Sequence, residues 1–98
     1  MTSKQRAYLK GLAMTEDAVL QIGKSNVTPE VTAAVAEALE ARELVKLSVL
    51  KNSTDDGRSM ADVLAERTQS QVVQVIGRKI VLYKPARDEK KRKIVLPK

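Results

Sequence analysis

Ala18-Val19-Leu20-Gln21-Ile22-Gly23-Lys24-Ser25-Asn26-Val27-Thr28-Pro29 is an apolar run that stops at a glycine and leads into a threonine-proline pair. Residues 18–22 have the composition of a short strand that ends at Gly23. Thr28 supplies a side-chain oxygen to cap a helix, and Pro29 fits the first turn, where its missing N–H costs no bond. Val31, Ala34, Val35, Ala38 and Leu39 then recur at helical spacing. Strand, glycine and capped helix together open an α/β unit.

Outward from this unit the pattern repeats. Residues 44–51 form an apolar, β-branched run in which Lys46 and Ser48 alternate with Val45, Leu47 and Val49, as in a strand with one wetter face. Residues 52–57 have loop composition. A third helix is expected over 59–68, with Met60, Val63 and Leu64 inward and Ser59 with Asp62 as a capping box. Residues 72–76 and 79–84 are strands joined by Gly77-Arg78, a primed hairpin turn that displays Arg78 and Lys79 at its tip. Upstream, Thr2 or Ser3 caps a helix running to Ala13, with Leu9, Leu12 and Ala13 inward. Gly11 weakens that helix by about 1 kcal/mol relative to alanine.

The order α-β-α-β-α-β-β implies an α/β fold: one two-layer domain with a mixed four-stranded sheet packed with helices. Residues 1–85 make the domain. Residues 86–98, basic and without apolar period, read as a flexible tail in which Ile94-Val95-Leu96 could add a short edge strand.

The 98 residues suffice for one core. With neither cysteine nor histidine, disulfides, the usual zinc sites and Ser-His or Cys-His catalysis are excluded. Asp55-Asp56 is a close acidic pair, but between Thr54 and Gly57 it reads as turn and cap rather than a metal site. No catalytic or metal site is expected, and the chain is not read as an enzyme. The N-terminus lacks the apolar stretch of a signal peptide and no later run has membrane-spanning length, so a cytoplasmic protein without membrane contact is expected.

The formal charge of +6 is uneven. Residues 1–11 carry Lys4, Arg6 and Lys10 without an acid, residues 78–98 carry nine basic residues against Asp88 and Glu89, and the middle is acidic, with Glu30, Glu37 and Glu40 on the outer face of the second helix. Basic ends about an acidic middle suit a polyanion held on one side. Their bland alternative is solubility alone.

Three groups of residues could carry that contact. Gly23, Lys24, Ser25 and Asn26 lie where a strand ends and a capped helix begins, so free amides and the positive helix end converge there on an anion. The alternative is a turn that needs glycine for its geometry. Arg6 and Lys10, four apart, share a helix face, which on its own is more often merely solvated. Arg78 and Lys79 sit at the hairpin tip. Tyr8 and Tyr83, the chain's two aromatics, are too few for a base-stacking sheet and read as core or edge packing.

Three blocks carry a family resemblance: Thr2-Ser3-Lys4-Gln5-Arg6-Ala7-Tyr8-Leu9-Lys10-Gly11-Leu12-Ala13, then Val19-Leu20-Gln21-Ile22-Gly23-Lys24, then Val72-Val73-Gln74-Val75-Ile76-Gly77-Arg78 with Val81-Leu82-Tyr83-Lys84-Pro85. In this order they resemble the YhbY family, the stand-alone bacterial form of the chloroplast RNA splicing and ribosome maturation domain. The resemblance implies a fold similar to the C-terminal domain of translation initiation factor three, RNA binding without a cofactor, and association with precursors of the large ribosomal subunit. It places the family's G-x-x-G loop on Gly23-Lys24-Ser25-Asn26, where Asn26 replaces the second glycine; asparagine tolerates a left-handed backbone better than other side chains.

The expected function is therefore contact with rRNA backbone as an assembly factor for the large ribosomal subunit. Arg6, Lys10, Gly23, Lys24, Ser25, Asn26, Arg78 and Lys79 would form one surface. The expected partners are precursor large-subunit rRNA and the pre-ribosomal particle, engaged by a monomer. One rival is a KH-type single-strand binder, whose glycine loop joins two helices. Another is a protein-interaction module docking on a ribosomal protein or assembly enzyme.

Overall fold

The computed structural model describes residues 1–23, 27–51 and 57–97. Its elements are α1 (Ser3–Ala13), β1 (Leu20–Ile22), α2 (Pro29–Arg42), β2 (Leu44–Val49), α3 (Gly57–Thr68), β3 (Gln71–Ile76) and β4 (Lys79–Tyr83), followed by a short 3-10 turn at Glu89–Lys91. The sheet order is β1-β2-β4-β3, with β1 and β2 parallel and the other two pairs antiparallel. This is the mixed four-stranded α/β sheet that the sequence implies.

Local chemistry sets the helix starts. Thr2 Oγ1 accepts from Gln5 N at 3.1 Å, and Gln5 Oε1 accepts from Thr2 N at 3.1 Å, a reciprocal box at α1. Thr28 Oγ1 accepts from Val31 N at 3.1 Å ahead of Pro29. The third helix is described from Gly57, near the expected start, so Ser59 lies within the helix rather than at a cap. Asp62 instead faces Arg58 at 3.5 Å, one turn away on an exposed surface.

Strand alternation divides the core in two. Val45, Leu47, Val49, Ile80 and Leu82 point to one face and meet Ile22, Val35, Leu39, Met60, Ala61 and Leu64, so α2 and α3 pack on the same side. Leu44, Val81, Tyr83 and Val73 point to the other face, where Leu9 and Ala13 of α1 cover them. Full burial of such a side chain stabilises by about 1.5–3 kcal/mol. The main two layers are thus the sheet with α2 and α3, and α1 adds a partial layer behind.

In β3 the register shifts between Val72 and Gln74, where β4 offers Leu82 and Val81 in succession. Val73 is the extra residue of a bulge, which disrupts the ladder locally. Arg6 Nη1 reaches from α1 and donates to Val72 O and to Val73 O. The guanidinium ties α1 to the sheet at the place where the strand is irregular.

Composition reads residues 86–98 as a flexible tail; in the structure residues 86–97 make contacts with the domain. Glu43, 1 % exposed, ends α2 with φ 65° and points its carboxylate inward. Its Oε2 accepts from Ala86 N at 2.9 Å, while Oε1 accepts from Lys93 N and from Ile94 N at 3.0 Å. Ile94 and Leu96 pack against the α1 cluster instead of forming a strand. The physical reason is one buried acceptor collecting three amides, which composition cannot reveal.

Candidate nucleic-acid interface

One end of the sheet gathers several of the anticipated residues. Leu50 N donates to Ile22 O at 2.8 Å, and Val49 N donates to Arg78 O at 2.7 Å. Half-buried Gly23, which follows Ile22, therefore lies at the same end as the Gly77-Arg78 turn. Gly77 has φ 55°, the positive first position of a primed turn that only glycine adopts without strain. A Cβ on Gly57 would lie 3.0 Å from Gly77 O, so the start of α3 closes on the same turn. Lys24, Ser25 and Asn26 lie outside the described residues. Their flanking elements are β1 and α2, a strand-to-helix junction and not the helix-to-helix junction of a KH domain.

Beside this end, on the α1 face, the sheet is left open. A hollow of about 380 Å³ is lined by Ala13, Met14, Lys46, Gln74, Ile76, Lys79 and Val81. It exists because α1 ends at Ala13, short of the hairpin tip. Lys46 and Lys79 are there because the wetter residues of β2 and β4 face this side. Lys46 Nζ donates to Ala13 O at 3.3 Å and Glu16 O at 3.4 Å, so it also caps the end of α1. Lys79 Nζ donates to Ser48 Oγ at 3.0 Å.

Arg6, Lys10 and Met14 recur every four residues and so run along one edge of α1. Met14 lines the hollow, which makes this the bordering edge. Lys10 is half-buried, and Arg78 and Lys79 are exposed. Arg6 is engaged with the β3 bulge, which gives it a structural task besides its charge. Among the described residues that line the hollow there is no acid. A polyanion laid here meets lysines over an apolar floor; the acidic outer face of α2 lies across the sheet.

Sequence reasoning missed Lys46, Gln74, Met14 and Ile76 as members of this surface. The alternation of Lys46 and Ser48 was the available signal. Ile76, 62 % exposed, and Met14, 82 % exposed, were hidden because apolar residues in a strand or helix ordinarily point inward. Tyr83 is buried in the α1 cluster as expected, and Tyr8 stands at an edge, 43 % exposed. It lies on the α1 edge away from the hollow.

A sheet with α2 and α3 on one side, α1 on the other and a basic hollow at the hairpin end defines a class of small α/β domain. The family model described as the CRS1 / YhbY (CRM) domain matches residues 1–84. The chain belongs to that family. It is 42% identical over 90 residues to the Bacillus subtilis protein named Probable RNA-binding protein YqeI, covering 92% of this chain and 94% of that protein. A Haemophilus influenzae protein named RNA-binding protein is 32% identical over 90 residues, covering 92% of this chain and 91% of its own length. A solved Staphylococcus aureus structure, described as a candidate RNA-binding protein, superposes with a TM-score of 0.80 at 40% identity over 99% of each chain. No helix among the described residues is long and apolar enough to cross a membrane.

Proposed function

We propose that this chain binds RNA through its phosphate backbone and acts as an assembly factor for the large ribosomal subunit, without performing chemistry. The observation that carries RNA binding is the hollow whose described lining residues include no acid, with Lys46 and Lys79 on its walls, Lys10 along its edge and Arg78 at the adjoining tip. Relatives named for RNA binding support the same reading. The ribosomal part rests on the family resemblance. Gly23 and the residues after it, Lys24, Ser25 and Asn26, complete the proposed contact as a strand-to-helix anion loop.

Affinity for labelled fragments of precursor large-subunit rRNA tests the contact. Lys10→Glu, Arg78→Glu and Lys79→Glu should each weaken binding several-fold while leaving thermal unfolding nearly unchanged. Unaltered affinity in all three would overturn the assignment of this face. Crosslinking in cells, followed by mapping to RNA, tests the ribosomal role: sites confined to precursor large-subunit rRNA are expected, and sites spread over unrelated transcripts refute it.

Exposed Met14 and Ile76 favour a second reading, docking on a ribosomal protein or assembly enzyme. Partners that remain bound after nuclease treatment would support it.

A further inference from the structure

A second hollow, of about 340 Å³, lies on the opposite edge of α1, lined by Tyr8, Leu12, Glu16, Arg42, Leu44, Lys93 and Ile94. Its floor is apolar: Leu44 is buried, and Leu12 and Ile94 are half-buried. Its wall is the exposed ring of Tyr8. Among the described residues that line it, two cations, Arg42 and Lys93, stand at its rim against one acid, Glu16. Lys93 is fixed there because its backbone N–H is held by Glu43 and its Nζ donates to Ala41 O at 3.3 Å.

We infer that this hollow takes one unpaired nucleobase of a bound RNA strand, stacked on Tyr8 over the Leu12, Leu44 and Ile94 floor, with the adjoining phosphate at Arg42 and Lys93. The inference rests on the RNA-binding reading and extends it from backbone contact to base contact. A planar apolar ring beside a cation suits a base and its phosphate together, since stacking tolerates any base and the cation holds the chain. Small size agrees, for the volume is near the lower end of pockets that enclose a ligand.

The two hollows are connected along a path a strand could follow. Between the Arg6–Lys10–Met14 edge and the Tyr8–Leu12 edge, the crest of α1 presents Lys4, Ala7 and Gly11, all exposed. Nothing lies within 4 Å of a Cβ placed on Gly11. Low relief and the absence of an acid in α1 let a single strand cross from the hairpin hollow to Tyr8. A duplex, whose bases are stacked inside, has no base to offer here.

The test is a titration of the full chain with a short single-stranded RNA and with the corresponding duplex, followed by NMR of the tyrosine rings. Tyr8 and Tyr83 are the chain's two tyrosines, and the ring protons of Tyr8 should move upfield with the single strand alone. Tyr8→Ala should bind about tenfold more weakly with an unchanged salt dependence, whereas Tyr8→Phe should keep the affinity of the native chain. Arg42→Gln should lower the salt slope by about 0.7.

Native RNA binding that is weakened by Arg78→Glu, but is indifferent to Tyr8→Ala and leaves the Tyr8 ring unshifted, would overturn this inference and leave the proposed function standing. No RNA binding by the native chain would overturn both. A Tyr8 shift that tracks protein concentration without RNA would assign the hollow to a second copy of this chain and refute the base site.

Discussion

Glu43 combines burial, a positive φ and three accepted amide bonds from residues 86, 93 and 94. Burial raises the pKa of its carboxyl; the three amides and the nearby Arg92 outweigh that and hold it below the ordinary value of 4.5. Between the two values the unfolded chain binds more protons than the folded one, so stability rises with pH there. The contribution is complete above the ordinary value and disappears as pH falls through the folded one. Tyr83 acts at the alkaline end: burial, then the Glu43 charge, raises its pKa above 10.0. Its contribution is present below pH 10.0 and is lost as pH rises through the folded value. Glu43→Gln turns an NH₂ toward Ala86 N or toward the Lys93 and Ile94 amides. It should cost about 2 kcal/mol at neutral pH and flatten the acid side of the profile, measured by urea denaturation. A variant as stable as the native chain would remove Glu43 as the clasp. Thr28 and Pro29 were legible in sequence because capping is settled within four residues. Glu43 was not, since its partners are 43 to 51 residues away.

Among the elements, α1 and the C-terminal segment illustrate how far periodicity reaches. The α1 pattern yields Leu9 and Ala13 as buried residues, yet it does not say that Arg6 fastens the helix to a bulge. Arg6→Leu should destabilise the fold by about 1–2 kcal/mol by freeing the two bulge carbonyls, with thermal unfolding as the readout. Stability equal to the native chain would show that the contact contributes nothing. Deleting residues 86–98 should expose Leu44, Val73 and Tyr83 and lower the denaturation midpoint, because Ile94 and Leu96 pack against their cluster. An unchanged midpoint would return the segment to the status of a tail. The register shift in β3 had no local signal: Val72-Val73-Gln74 reads as ordinary strand, and only pairing with β4 makes one residue surplus.

For the molecule as a whole, charge falls on opposite sides of the sheet. The acids of α2 lie outside one face, and Lys10, Lys46 and Lys79 flank the open part of the other. If about six phosphates of a single strand are engaged, the log of the binding constant should fall against log salt with a slope near −4. Each charge removed by Lys10→Gln or Lys79→Gln should reduce that slope by about 0.7. A slope near zero would contradict a phosphate-driven contact. Net charge pointed to a polyanion before any fold was known, but it said nothing about sides. Sidedness follows from the crossover between β1 and β2 and from where α1 stops.

Sequence by itself determined the order of elements, the cap at Thr28, the glycine turn at Gly77 and the surplus of cations near the ends, because each depends on neighbours a few bonds or one helical turn away. Tertiary structure alone decided that α2 and α3 share a face, that Glu43 gathers the C-terminal segment, and that Met14, Lys46, Ile76 and Lys79 enclose one hollow. Those outcomes depend on strand order and register, which bring together side chains that the chain keeps far apart.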